Sequence, residues 1–227
     1  MHWLMTPLDR HSDDGFGFMA TAFKSSAETL LDVEKDSVAH RELPTCFLLR
    51  HAAELFLKST LVVTHRAFRP DLQGYPTIDV DRKAKPLTNV HGLGPLYRAL
   101  VAVLAEHPVE LSKRSRTAWL PMPPELDKAI SAIDGMDKKG VFFRYPTENN
   151  ASKSNNKPIT PEQITAWDKD AQGHLKAFVV VDQNDEIVEA FQYDPNLLTQ
   201  ELETLKAACY WLECINTGLR MELAGGW

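Results

Sequence analysis

The sequence predicts a mainly α-helical bundle with one small β-hairpin inserted before the last helix. Apolar residues recur at the spacing of an amphipathic helix over four long segments and one short segment. Two runs of β-like residues, Leu175–Val181 and Glu186–Tyr193, precede the last of these segments. The chain has 227 residues, of which 44% are hydrophobic, enough for one domain that carries an insertion. We therefore predict a single domain over residues 1–227, with a loop and β-hairpin insertion at 147–193.

Caps and prolines place the first three helices. The first is expected over 16–34, where Asp13 and Asp14 can cap its start. Pro44 suits a first helical turn and opens a second helix that runs to Arg66. A glycine-bearing segment at 89–95 then leads into a third helix. The apolar stripe expected on that helix consists of Leu96, Leu100, Val103 and Leu104.

The second half of the sequence contains more turn-forming and polar segments than the first. A short helix through Ile130 and Ile133 follows a proline-rich break at 121–124. The Asn/Ser/Lys-rich segment 149–157 is typical of a mobile loop tip, and Asp182–Asp185 suits a hairpin connection. The last helix is expected to open at Asp194-Pro195. Its apolar stripe consists of Leu198, Leu202, Leu205, Cys209, Leu212 and Leu219.

Composition narrows the class of protein. The 25 basic and 31 acidic residues give a net charge of −6, which excludes a protein that is basic over its whole surface. No apolar stretch approaches the roughly 20 residues that cross a bilayer, and no signal peptide is recognised, so a cytoplasmic location is expected. Cys46, Cys209 and Cys214 are too few for a disulfide framework and lack zinc-site spacing. We expect neither a metal nor a cofactor.

The second helix carries one narrow polar stripe on an otherwise apolar surface. The stripe contains Arg50, His51, Glu54 and Lys58, and both Arg50–Glu54 and Glu54–Lys58 are pairs of opposite charge four residues apart. One interpretation is a solvated row of ion pairs that contributes little to stability. The other is that protein surrounds the helix and the stripe lines a cleft or a subunit interface, where charges must be paired or used.

These residues resemble a known family. The segment Arg50–Lys58, which follows the pattern RHAxELxLK, is similar to the second helix of HEPN-type proteins, the higher-eukaryote and prokaryote nucleotide-binding helical domains. His91–Leu93 is similar to the HxL element that opens their next helix. Phe143–Pro146 is similar to an FRYP element in uncharacterised bacterial proteins of this type. The three elements cover roughly residues 44–146.

The resemblance implies a HEPN-like bundle, often dimeric, from bacterial toxin–antitoxin, phage-defence or RNA-processing systems. Many members are metal-independent ribonucleases built on an arginine and a histidine that are separated by four to six intervening residues. This chain departs from that pattern, since none of its eight histidines has an arginine at that distance upstream. A rearranged site would still need a base, an acid and a cation. The candidate catalytic residues are His51, His91 and Arg144, and the candidate ligand-binding residues are Arg50, Glu54, Lys58 and Tyr145.

Two functional hypotheses follow, with a third in reserve. The first is a nucleotide- or RNA-binding module in a defence or regulatory system, with Arg50, His51, His91 and Arg144 around a shared cleft. The second is a non-catalytic interaction protein whose polar stripe is a satisfied network within a dimer interface. The reserve is a ribonuclease with a rearranged site. We expect a homodimer, because the second helix is too apolar for one-sided burial and the last carries a wide apolar stripe. A partner protein of the same operon is a further candidate.

Overall fold

The computed structural model describes residues 7–32, 41–70, 74–138, 140–143, 157–158, 160, 176–193 and 198–226. The chain forms two compact units. Residues 1–145 and 201–227 make a helical unit, and residues 146–200 make a smaller β unit. Over the described ranges the protein is mainly helical, with six α-helices and two small antiparallel β-hairpins. None of these helices combines the length and the apolarity that a membrane crossing requires.

Helix α2 forms the centre of the helical unit, and α1 packs against it. Helix α1 spans Phe16–Asp32, and the Asp13 side chain accepts the backbone N–H of Gly17 (2.8 Å) at its first turn, as expected of a cap. Helix α2 spans Glu42–Phe68, with Pro44 in its first turn. Nearly every residue of α2 between 49 and 65 is buried. A helix buried on all sides lies within a core rather than on its surface.

A second group of helices packs against α2. Helix α3 spans Leu93–Glu106 and contacts α2. Three of its four predicted stripe residues are buried, namely Leu96, Leu100 and Leu104. Helix α4 spans Pro108–Arg114, and α5 spans Pro124–Met136 with Ile130 and Ile133 buried. Strands β1 (Thr77–Val80) and β2 (Lys83–Pro86) form a hairpin that packs on α3.

Helix α6 spans Thr199–Ala224 and returns the chain to α2. The Cys209 thiol donates to the carbonyl oxygen of Leu49 (3.0 Å), and the Asn216 amide donates to the hydroxyl oxygens of Ser59 (2.6 Å) and Thr60 (3.1 Å). Burial raises the pKa of the Cys209 thiol to about 12. The predicted stripe is buried from Leu202 onward, while Leu198 precedes the helix.

The β unit contains a three-stranded antiparallel sheet in the order β3-β5-β4. Its strands are β3 (Lys157–Pro158), β4 (Lys176–Val181) and β5 (Ile187–Tyr193). The Asp182 carboxylate accepts the backbone N–H groups of Asn184 (2.8 Å) and Glu186 (3.0 Å), which holds the turn between β4 and β5 where the sequence predicts it. The loop predicted at 149–157 lies outside the described residues except for Lys157.

The structure departs from the sequence prediction in some of its elements and in how α2 is buried. The hairpin β1–β2, the short helix α4 and the third strand of the sheet were not predicted. The predicted opening of the last helix at 194–195 lies outside the described residues. Helix α2 is covered within a single chain, and Ile215 of α6 is buried too, although Tyr210 of the same helix remains 58% exposed. A dimer is therefore not needed to bury α2.

Candidate functional site

The polar stripe of α2 lies inside the helical unit. The side chains of Arg50, Glu54 and Lys58 are only 2%, 2% and 4% exposed. The interpretation of the stripe as a solvated row of ion pairs is therefore wrong. Charges withdrawn from water to this extent must be paired, because an isolated buried charge costs several kcal/mol or more.

The guanidinium of Arg50 bridges three segments of the chain. Its Nη1 donates to Glu54 Oε2 (2.6 Å), one turn along α2. Its Nε donates to Asp137 Oδ2 (2.9 Å), just beyond the end of α5, and its Nη2 donates to the carbonyl oxygen of His91, just before α3. Charge-assisted bonds on separate sides of a planar guanidinium fix its position and direction.

Asp137 completes the arrangement from the other side. While Oδ2 accepts from Arg50, Oδ1 accepts the backbone N–H groups of Val141 (2.7 Å) and Phe142 (3.0 Å). One buried carboxylate thus binds the arginine of α2 and also shapes the turn that follows α5. Gly140 lies in that turn with a φ of +72°, and a Cβ there would lie 2.9 Å from Arg50 Nη2. Glycine is required at this position on both grounds.

Glu54 is the acceptor at the centre of the cluster. In addition to Arg50, it accepts from Lys58 Nζ (2.7 Å) and from His91 Nδ1 (2.9 Å), both at Oε1. Burial alone would raise the pKa of Glu54, but the positive charges of Arg50 and Lys58, with hydrogen bonds from Lys58 and His91, hold the pKa below its ordinary value. Glu54 is therefore an ionised carboxylate at neutral pH.

His91 is the member of this cluster that reaches the solvent. Its side chain is 47% exposed, whereas Glu54 beneath it is 2% exposed. Because an ionised carboxylate can only accept, Nδ1 carries the proton, and in the neutral imidazole Nε2 is then an acceptor. A buried carboxylate that fixes the tautomer and the ring direction leaves an oriented Nε2 for an external group.

The backbone beside His91 touches the turn after α5. A Cβ on Gly92 would lie 2.9 Å from the carbonyl oxygen of Lys138, so the two segments are in close contact. The side chain of Lys138 is exposed. An exposed lysine therefore belongs to the segment whose backbone contacts the residue next to the oriented imidazole of His91.

The predicted site residues are brought together in part. Arg50, Glu54, Lys58 and His91 form one cluster, as described above. His51 lies on the side of α2 that faces α1, edge-on to the ring of Phe23 with 4.6 Å between ring centroids. Arg144 and Tyr145, the other two predicted site residues, lie outside the described residues. Of the four residues expected around a shared cleft, the described part of the chain brings only Arg50 and His91 into contact, and Arg50 is buried there.

Sequence reasoning missed Asp137. This residue lies 87 positions from Arg50 in the sequence, and no helical or strand spacing connects the two. A signal was nevertheless present, since an Asp followed three residues later by a glycine, directly after an apolar helix, is typical of a turn held by a side chain. That signal indicates a turn but not the arginine that the turn binds.

No family model, curated protein or solved structure matches the chain. In the described ranges, no group of three or more His, Cys, Asp or Glu residues is arranged to hold a metal ion. A functional assignment must therefore rest on two features of the site: the charge-balanced buried cluster and the one oriented imidazole at its surface.

Proposed function

We propose that the chain is a HEPN-like module that binds RNA or a nucleotide at the surface around His91. The observation that carries this proposal is the half-exposed imidazole hydrogen-bonded to the buried carboxylate of Glu54. Nothing in the stability of a helical bundle requires an exposed ring to be held in this way. If the cluster were only structural, the hydrogen bonds from Arg50 and Lys58 would be enough to pair the charge of Glu54, and the bond from His91 would not be needed.

The chemistry of the surface suits a sugar–phosphate ligand. The neutral Nε2 of His91 can accept a hydrogen bond from a ribose hydroxyl, and the protonated ring can donate to a phosphate oxygen. The exposed ammonium of Lys138, from the segment in contact with Gly92, adds a positive charge for the phosphate. RNA offers both groups on every nucleotide, and its 2′-hydroxyl distinguishes it from DNA.

Binding is favoured over cleavage in this proposal. Cleavage without metal needs a base, an acid and a cation that reaches the phosphorane. Arg50 is 2% exposed and donates to three protein acceptors, so it cannot supply that cation. Among the described candidates, only His91 is placed to touch a ligand. The ribonuclease alternative depends on residues outside the described ranges.

The test is the affinity of the full chain for a fluorescein-labelled 12-nucleotide RNA of mixed sequence, measured by anisotropy at low salt without added metal. We expect His91→Ala to weaken binding about tenfold or more, because a hydrogen bond to a charged group contributes about 1.5–3 kcal/mol. His91→Gln should retain part of the affinity, since its amide can still donate to Glu54. His107→Ala, which changes a histidine at the opposite end of α3 that is not part of the cluster, is the matched control.

The outcomes separate the alternatives. Tenfold weakening in His91→Ala alone supports the proposal, and stronger binding of RNA than of the same DNA sequence identifies the ribose contact. Strand scission by the parent chain that His91→Ala abolishes would instead favour the ribonuclease. Equal affinity of His91→Ala and the parent would refute the proposed site. Thermal unfolding of each variant checks that the fold is retained.

A second candidate is a non-catalytic interaction protein whose polar cluster is structural. It is favoured by the closure of Arg50, Glu54 and Lys58 to solvent and by their mutual hydrogen bonds. The exposed Tyr210 and Met221 of α6 would then belong to a contact with a second copy or with a partner protein of the same operon. Light scattering after size exclusion would show a species larger than the 25.6 kDa monomer in the first case.

A further inference from the structure

A cavity of about 180 Å³ lies between the first turns of α1 and the last turns of α6. It does not include any residue of the cluster around Glu54. Each of the two helices contributes both polar and apolar side chains to its lining. Phe18 and Thr21 belong to α1, and Thr217, Arg220 and Met221 belong to α6, while His11 precedes α1. A concave site with a few polar groups among apolar side chains is the usual form of a small-molecule site.

Arg220 is the group in this cavity that needs a partner. Its side chain is 17% exposed, and its Nε atom is sealed from solvent without a hydrogen-bond acceptor in the described part of the chain. The nearest carboxylate oxygen, Oδ2 of Asp13, is 3.8 Å from Nη1, which is beyond hydrogen-bond distance. A guanidinium has five N–H donors, and donors removed from water without acceptors are costly.

Asp13 is already satisfied by other donors. Its fully buried carboxylate accepts the backbone N–H groups of Gly15 (3.0 Å) and Gly17 (2.8 Å) and the hydroxyl of Ser59. These hydrogen bonds hold the start of α1 against α2, and Arg220 at 3.8 Å adds the positive charge that a buried carboxylate needs. Asp13 occupies none of the N–H donors of Arg220 at that distance, so they remain available to a further acceptor.

The backbone of α1 is shaped to let Arg220 approach. A Cβ at Gly17 would lie 2.8 Å from Arg220 Nη1 and 2.7 Å from Asp13 Oδ2. No larger residue could stand there without displacing the guanidinium. Gly226, with a φ of +87°, donates its N–H to the carbonyl oxygen of Arg220 (2.9 Å) and turns the chain back along the rim of the cavity.

We propose that this cavity binds a small carboxylate with an apolar body. The carboxylate would lie on the fork of Arg220, whose geometry matches two carboxylate oxygens, and the apolar body would lie between Phe18 and Met221. The volume is below the roughly 300–1,000 Å³ of sites for drug-sized ligands, which limits the occupant to a small acid. The nearby carboxylate of Asp13 disfavours a dianionic phosphate more than a monoanion.

The experiment measures binding of phenylacetate to the full chain by ¹H–¹⁵N NMR titration. Benzyl alcohol has a similar apolar body without the charge, and inorganic phosphate has the charge without the apolar body. We expect saturable shifts for phenylacetate, centred on the amides of the first turns of α1 and the end of α6. Benzyl alcohol and phosphate should each bind at least tenfold more weakly, because each lacks half of the recognised features.

Two variants separate the roles of charge and space. Arg220→Gln should weaken phenylacetate at least tenfold, and Arg220→Lys should weaken it less, since an ammonium keeps the charge but not the fork. Thr217→Trp fills the cavity from an exposed helical position and should abolish binding without removing Arg220. Arg98→Gln, an exposed arginine on α3, is the matched control and should bind as the parent does.

Three results would overturn the proposal. Benzyl alcohol binding as tightly as phenylacetate would mean that Arg220 does not recognise the ligand. Phosphate binding more tightly than phenylacetate would replace the carboxylate by an inorganic anion. No saturable shift at 10 mM phenylacetate in a folded sample would mean that the cavity takes no such acid. Because none of these variants touches His91, the outcome is independent of RNA binding.

Discussion

Substitution of Glu54 by glutamine removes one negative charge from the centre of the buried cluster and keeps its shape. Arg50 would retain Asp137 at 2.9 Å, but the ion pair of Lys58 with Glu54 at 2.7 Å would be lost. Lys58 is only 4% exposed, so its ammonium would remain in the interior without a counter-charge. Removal of one partner from a buried pair costs about 3–5 kcal/mol. We expect Glu54→Gln to lower the free energy of unfolding by that amount.

A second substitution tests whether the unpaired lysine is the cause. Methionine at position 58 has nearly the length of lysine and no charge, and replacement of a whole buried ion pair by apolar groups is often neutral. The double variant Glu54→Gln/Lys58→Met should therefore recover most of the lost stability. Equilibrium urea unfolding followed by circular dichroism gives both differences. A loss below about 1 kcal/mol in Glu54→Gln, or no recovery in the double variant, would refute this reasoning.

Acid provides an independent measure of the same carboxylate. The pKa of Glu54 is held below its ordinary value of 4.5 in the folded protein. The stability that results is fully present above about pH 4.5 and is lost as the pH falls through the lowered pKa, where the folded state must take up a proton. The difference in unfolding free energy between the parent and Glu54→Gln should accordingly shrink as the pH falls below about 4.5. A constant difference from pH 7 to pH 3 would contradict the assignment of Glu54 as ionised.

Three further predictions concern other parts of the fold. Burial and two nearby arginines hold the pKa of His65 below its usual 6.5. The free energy of unfolding should therefore fall as the pH drops below 6.5, because the unfolded chain takes up a proton at His65 before the folded protein does. In urea titrations His65→Gln should lose less stability over this pH range than the parent does. Gly140→Ala should lower the unfolding free energy by about 1–3 kcal/mol, because the alanine would have a positive φ and its Cβ would also press on Arg50. Gly74→Ala has a positive φ as well but no neighbouring atom within 4 Å, so it should lower the unfolding free energy less. A maleimide reagent should modify Cys214 alone in the native protein, because the other two cysteines are buried; mass spectrometry showing two or more adducts would contradict this.

The sequence was most informative about contacts between side chains of the same helix, because their spacing along the chain determines which of them meet. Arg50, Glu54 and Lys58 follow one another at four-residue intervals, and helical geometry alone brings such side chains together. Whether they face solvent or the interior depends on which elements cover them, and that information lies far away in the sequence. The contact with Asp137 and the hydrogen bond from His91 both cross long separations, so no periodicity could predict them.

The hairpin β1–β2 was missed for a different reason. Its turn residues, Asp81 and Arg82, have φ values of +53° and +63°, a conformation usually signalled by asparagine or glycine. Strand β2 is exposed along its whole length, so it lacks the alternation of apolar and polar residues that marks a half-buried strand. The cavity at Arg220 also left no pattern, because a single arginine near the end of a helix is an ordinary surface feature.

The helical unit is discontinuous in sequence, and this determines the order in which a growing chain can complete it. Residues 1–145 are synthesised before the β unit, whereas α6 follows it. At about 5–20 residues per second, the ribosome needs several seconds to add residues 146–200. During that interval Ser59 and Thr60 lack the amide of Asn216, and the apolar face of α2 that α6 covers remains open. A nascent chain of this protein therefore leaves part of the surface of α2 uncovered until its last long helix has been synthesised.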